Sequence, residues 1–174
     1  MGQRNVLIEG VSGTGKTTIC DELLRRGYHA IHGDRDLRPD RARERDRVFH
    51  SDAERAAFVH AHARWDVTKV RDHLENRHPG LSFFCGGFRN HAELVGLFDA
   101  VFVLEVDLDT LMRRLEDRPE EEFGGKPAER ALIKRLHATG EDMPKGAIPV
   151  DARKSIDQVA DEIVRTCRKI GLLR

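Results

Sequence analysis

The stretch "GVSGTGKTT", residues 10–18, gathers the residue types that can grip a triphosphate. Gly10, Gly15, Lys16 and Thr17 satisfy the spacing G-x-x-x-x-G-K-[ST]. Glycines let the backbone turn so that successive N–H groups approach phosphate oxygens. A helix opening near Gly15 adds its positive dipole end and unpaired donors. Lys16 can reach the β- and γ-phosphates, and the Thr17 hydroxyl can hold Mg²⁺. Ser12, Gly13, Thr14 and Thr18 fill out the cradle. A glycine-rich turn with a solvated lysine would need neither the apolar run before the motif nor the helical pattern after it. The expected ligands are ATP and Mg²⁺.

Such a loop works only between a strand and a helix, and the flanking pattern supplies both. "NVLIE" (5–9) reads as a buried strand, and Ile19, Leu23 and Leu24 suit a helix from Lys16, with Gly27 as its stop. "YHAIHGD" (28–34), "LSFFCGG" (81–87), "AVFVLEV" (100–106) and "GAIPV" (146–150) supply further strands. Near-continuous apolar runs are what strands covered on both faces require. Strands alternating with helices imply a parallel α/β sheet with right-handed crossovers. Ala56, Val59, Ala63, Val67, Val70 and Leu74 place one apolar stripe on a long helix between the second and third strands. Ser155 and Gln158 form a capping-box pattern before a C-terminal helix closed by Gly171. No linker divides the chain, so residues 1–174 are expected to form one domain.

With these motifs in order, the chain resembles the small nucleoside-monophosphate-kinase-like family, and within it the shikimate and gluconate kinases. The resemblance rests on "GVSGTGKTT", on "GDRD" after the second strand, and on "LMRRLEDRPEEEFGGKPAER". It implies a three-layer P-loop NTPase fold: a five-stranded parallel sheet flanked by helices, with a short mobile lid at about 118–130. It also implies transfer of the γ-phosphate of ATP to a hydroxyl of a small-molecule acceptor, a metabolite or antibiotic-like compound.

Asp34 and Asp36 fall at the carboxyl end of the second strand, the crevice where open α/β sheets bind ligands. A carboxylate there can orient an acceptor hydroxyl, take its proton or support Mg²⁺. The resemblance implies Asp34 as base or metal-side carboxylate and Asp36 as a substrate contact. The bland alternative pairs both with Arg35 and Arg38; Arg38 is also expected beside the acceptor. "CGGFRN" after the third strand makes Gly86, Gly87 and Arg89 expected acceptor contacts, since paired glycines admit a ligand close to the backbone. The family resemblance implies use of the amides of that glycine run. No Asp ends this strand where many P-loop enzymes keep a metal-supporting carboxylate; Cys85 stands there and reads as a core thiol. That shifts metal support to Asp34, alongside Thr17.

Phe58, His62 and Trp65 recur at helical spacing beside the apolar stripe. They either cover a flat acceptor or widen the core, and the core reading is favoured, with His60 and His62 solvated at its edge. Arg113, Arg114 and Arg118 lie on or after the helix that begins near Asp107. Phosphoryl transfer needs positive charge on the phosphates and exclusion of water. The resemblance places Arg118 on the phosphates and Arg114 near the adenine or phosphates. Glu120, Glu121 and Glu122 are awkward neighbours for a triphosphate unless they face solvent. "VDARKS" falls where relatives pass the adenine ring, with backbone contacts expected from Asp151 to Arg153.

Composition narrows the partners. Thirty Lys and Arg balance thirty Asp and Glu, so no net positive field points to nucleic acid or an anionic membrane. No 18-residue apolar run marks a membrane span. Cys20, Cys85 and Cys167, odd in number and set among apolar neighbours, fit reduced thiols in a cytoplasmic protein. Oligomeric state is not assigned. Two alternatives stand beside the small-molecule kinase. A nucleoside or nucleotide kinase could use Arg35, Arg38, Arg41, Arg43 and Arg45 to grip an acceptor phosphate. A regulatory ATP-binding or ATPase module would act through a protein partner and would lack a cleft beside Asp34.

Overall fold

The computed structural model of the protein describes residues 4–39, 47–75 and 80–173. Five strands form one sheet: β1 (Arg4–Glu9), β2 (His29–His32), β3 (Leu81–Cys85), β4 (Ala100–Glu105) and β5 (Ile148–Asp151). Their spatial order is β2-β3-β1-β4-β5, and each neighbouring pair is parallel. The first strand is therefore central, which explains its composition: Val6, Leu7 and Ile8 are fully buried. Parallel strands need a crossover between them, and helices on both faces supply the cover that such a sheet requires.

The core divides across the sheet because alternate strand residues face opposite ways. Val6 and Ile8 pack with Phe83, Phe102 and Leu104 under the helices α1 (Lys16–Arg25), α6 (Leu108–Glu116) and α8 (Ile156–Lys169). Leu7 and Phe84 pack on the other face with Leu37, Trp65, Val70 and Phe88. Cys20, Cys85 and Cys167 are free and buried in the first of these clusters.

Three departures from the sequence reading bear on the site. The long helix expected between β2 and β3 is two: α3 (Asp52–Ala61) and α4 (Val67–Glu75). Trp65 stands in the break and is buried against Phe88, with ring centroids 4.3 Å apart. The apolar period runs on across the break although α3 packs on the later helix Pro127–Thr139 and α4 on the sheet through Val70, so periodicity alone reads them as one. Second, β2 ends at His32, and Asp34 belongs to a one-turn helix, α2 (Gly33–Asp36), at the strand's end. Third, the irregular stretch after α6 closes at Lys126, and α7 (Pro127–Thr139) begins inside the span read as loop. Proline at the first helical position and Glu129 at the third start that helix. Glu129 is buried and accepts from the Gly124 and Lys126 amides at 2.8 and 3.3 Å. A short helix, α5 (His91–Leu94), follows β3.

The C-terminal helix matches its sequence signature. Ser155 and Gln158 exchange both capping-box hydrogen bonds, 3.3 and 3.2 Å.

Candidate active site

The phosphate loop joins β1 to α1 as its motif requires. Gly10 has φ 152° and Gly15 has φ 105°, backbone that a side chain would strain. At Gly10 space is short as well: a Cβ would lie 2.6 Å from Thr14 Oγ1 and 2.8 Å from the Leu104 carbonyl. Thr14 is buried and donates its hydroxyl to the Val11 carbonyl at 2.9 Å, so its side chain holds the loop's shape. The first hydrogen bond of α1 runs from Ile19 N to Gly15 O, 2.9 Å. The amides of residues 15–18 precede it and face a ligand position. Lys16 donates to the Gly10 and Val11 carbonyls at 2.6 and 3.0 Å. Burial pushes its pKa below the ordinary lysine value, while the charges of Asp34 and Glu9 pull it back up.

A cleft of about 630 Å³ opens over this loop. That volume suits a nucleotide with a small second molecule. Its lining includes Gly10, Ser12 to Thr18, Asp34, Arg38, Gly87, Arg89, Arg114 and Arg118 from the sequence reading. Asp34 thus shares one cleft with Lys16, and the turn after β3 runs between them. A Cβ on Gly86 would fall 3.2 Å from Asp34 Oδ1, and one on Gly87 would fall 3.9 Å from Lys16 Cε. Arg38 donates to Asp34 Oδ1 at 3.2 Å.

Both arginines from α6 and its C-terminal end reach the loop. Arg118 donates to Ser12 Oγ at 2.9 Å and to the Phe123 carbonyl at 2.6 Å. Arg114 donates to the Thr14 carbonyl at 3.2 Å and to the Ala152 carbonyl at 2.7 Å, tying the phosphate loop to the segment after β5. Glu122 lines the cleft and lies 3.7 Å from Arg118, with its side chain mostly in solvent.

Four of the expected site residues are placed elsewhere. Asp36 is absent from the cleft lining; Arg35 clamps it at 2.9 and 3.3 Å and holds its carboxyl below the usual range. Gly86 is buried, and its amide donates to the Ile8 carbonyl at 3.1 Å, which removes it as a ligand donor. Asp151 and Arg153 face each other at 2.8 and 2.9 Å outside the cleft, while Ala152 and Lys154 line it. A strand-end residue alternates in direction with its neighbours, so a one-residue offset reverses which side chain faces the site. The Arg41, Arg43 and Arg45 of the proposed phosphate grip lie outside the described residues.

Sequence reading missed a polar group in the lining of the cleft. Asp142, in the turn after α7, pairs with Arg89, and His60 Nε2 from α3 lies 2.7 Å from Asp142 Oδ2. All three line the cleft, so His60 is no solvated edge residue. Nothing in "TGEDMPKG" marks Asp142, because its partners come from α3 and from the segment after β3. Glu9 was missed too. At the end of β1 it is fully buried, with Oε1 2.7 Å from His91 Nε2 and Oε2 lacking a hydrogen-bond partner. Phe58 and His62 stack at 3.9 Å outside the cleft, and Trp65 is core, as the core reading had it.

Among the described residues no helix is long and apolar enough to cross a membrane, and no group of three His, Cys, Asp or Glu side chains could hold a metal alone. Thr17 and Asp34 both line the cleft, and Mg²⁺ is ordinarily bound through one or two protein oxygens together with substrate phosphates.

Comparison with known proteins agrees with this geometry. The chain is similar to a gluconokinase from Sinorhizobium meliloti 1021, TM-score 0.58 and 19% identity, over 96% of this chain and 93% of that one. It is similar to a sugar kinase from Janibacter sp. HTCC2649, TM-score 0.54 and 18% identity, over 98% and 95%. A deoxyadenosine kinase from M. mycoides with bound dATP gives TM-score 0.58 and 15% identity, over 94% and 98%. At these identities the likeness is one of fold, that of small P-loop kinases. No curated protein sequence is significantly similar. Residues 6–142 match the family described as AAA domain, so the phosphate loop, Asp34 and the arginine segment lie within the match, and the chain belongs to that P-loop family.

Proposed function

We propose that residues 1–174 act as one ATP-dependent phosphotransferase domain, moving the γ-phosphate of ATP to a hydroxyl of a small-molecule acceptor. The observation that carries this reading is Asp34 in the same cleft as Lys16. An ATPase can also use a carboxylate beside its phosphate loop, to activate water; the space in the same cleft for a second small molecule favours the kinase.

In this reading the amides of residues 15–18 and the Lys16 ammonium bind the β- and γ-phosphates. Arg118 and Arg114 add positive charge from the α6 side, and the backbone near Ala152 borders the adenine. Thr17 and Asp34 would hold Mg²⁺, which neutralises charge on the phosphates when bound. Arg38 occupies Asp34 Oδ1, so we assign Oδ2 to the acceptor. The acceptor oxygen forms its bond to the γ-phosphorus while its proton passes to Asp34. The bond from that phosphorus to the β–γ bridging oxygen breaks, and ADP leaves. Phe123 and the segment 117–126 shield the phosphates from water, the part of a lid.

The test is ADP release with ATP and Mg²⁺ across a panel of polyols, sugar acids, nucleosides and aminoglycosides. Stimulation by one acceptor, cut about 10²–10⁴-fold in Asp34→Asn and lost in Lys16→Ala, is expected. An acceptor that stimulates Asp34→Asn as fully as the unaltered chain would overturn the reading.

A further inference from the structure

The acceptor end of the cleft is balanced in charge. Two guanidinium groups line it beyond the phosphate loop, and each is paired with a carboxylate: Arg38 with Asp34 at 3.2 Å, and Arg89 with Asp142. His60 sits 2.7 Å from Asp142, and burial pushes its imidazole below the ordinary value, so at neutral pH it adds no charge. The other cations of the described lining are Lys16 and Arg114, which donate to backbone carbonyls, Arg118, 3.7 Å from Glu122, and Lys154, 2.7 Å from Glu162. Among the described residues, an acceptor that brings its own carboxylate or phosphate beside Asp142 meets a guanidinium already paired with that carboxylate.

Around Asp142 the lining is polar, and among the described residues it holds no large flat apolar ring. Its side chains come from Val59, His60, Ala63, Arg89, Asp142 and Met143. Trp65 and Phe88, the large rings nearby, are spent on each other in the core. The one Phe of the lining, Phe123, stands beside Arg118. Among the described residues a nucleobase beside Asp142 would find only the small imidazole of His60 to stack on, and stacking is a usual source of its affinity. What remains is a set of polar groups held close together: Arg89 and His60 both lie against the Asp142 carboxylate, and its buried Oδ2 has no hydrogen-bond partner and can accept from a ligand hydroxyl. The amide of Arg89 is itself anchored to the Ala63 carbonyl at 2.7 Å, which holds this group to the break between α3 and α4.

We infer that Arg89, Asp142 and His60 form a specificity subsite for an uncharged polyhydroxylated acceptor, an aldose or alditol, and that Asp142 discriminates against its carboxylated counterpart. The inference rests on the kinase reading above. Asp142 does this by cancelling Arg89; removing the cancellation would turn the same guanidinium into a carboxylate receptor.

The experiment compares kcat/KM for matched acceptors, D-glucose with D-gluconate and D-ribose with D-ribonate, and adds adenosine. In the unaltered chain the better neutral sugar is expected to exceed its acid by at least about tenfold, as one unbalanced charge at close range allows. Asp142→Asn is expected to shrink or invert that gap. Arg89→Gln, which leaves Asp142 unopposed, is expected to widen it, and Asp142→Glu to keep it. Opposite movements in two variants cannot come from partial unfolding. A preference for the sugar acid, a preference for adenosine over every sugar, or a gap that neither variant moves would overturn the inference and leave the kinase standing. If no acceptor stimulates ADP release, the kinase reading itself falls and this subsite with it.

Discussion

The indole of Trp65 fills the space beside Gly33: a Cβ built on Gly33 would lie 1.9 Å from Trp65 Cζ2. The same ring would meet a Cβ on Gly86 at 2.8 Å. Trp65 is thus the wedge against which the ends of β2 and β3 close, and Asp34 follows Gly33 directly. The demand for glycine at 33 is steric, and a methyl there must push the ring or the turn aside.

Gly33→Ala is therefore expected to cost about 1–3 kcal/mol, the usual range for overpacking, and to lower phosphotransfer by displacing Asp34. Urea unfolding and ADP release measure the two effects. Adding Trp65→Leu to Gly33→Ala should return part of the turnover; no recovery would mean that the clash does not govern Asp34.

Lys16 sets an alkaline limit. Burial lowers its pKa below 10.5, so its charge is lost at a lower pH than in a free lysine. Turnover should fall along that limb. Stability moves the other way: between the folded value and 10.5 the unfolded chain binds more protons, so stability rises with pH there. A pH–rate profile, with urea unfolding of the unaltered chain and Lys16→Met over the same range, checks both signs. A limb at or above 10.5 would refute the burial argument.

Arg118 is expected to act on turnover more than on folding. Its guanidinium holds Ser12 and Phe123 about the phosphate position. Arg118→Ala should lower kcat about 10²–10³-fold, the usual scale for one lost charge-stabilising donor, with an unchanged unfolding midpoint. A rise in KM for ATP at constant kcat would instead make Arg118 a ground-state binder.

Glu22 ties α1 to α8. Hydrogen bonds from Arg25 and then Arg26 hold its carboxyl down to about 2, against an ordinary 4.5. Arg26 also reaches Asp161 on α8 at 2.6 Å. The stability from this depressed carboxyl is fully present above 4.5 and is lost as pH falls through about 2. The stability difference between the unaltered chain and Glu22→Gln should be flat at neutral pH and vanish in that acid window. A difference that persists below it would assign the effect to packing.

Local order determined what the sequence could say alone. The phosphate loop is one contiguous segment whose glycines, lysine and threonine act through their own backbone, so spacing suffices to read it. Strand periods and the Ser155–Gln158 cap are equally local, which is why five parallel strands and the C-terminal helix were legible. Tertiary structure decided everything that depends on partners distant in the chain. Asp142 gains meaning only where α7 delivers it to Arg89 and His60. Glu9 becomes notable only when the sheet buries it beside His91. Asp36, Gly86, Asp151 and Arg153 sit within a residue or two of site positions, yet a neighbouring partner or the strand's alternation turns each away. Proximity along the chain places a residue near a site; only the packed neighbours decide whether its side chain faces the ligand.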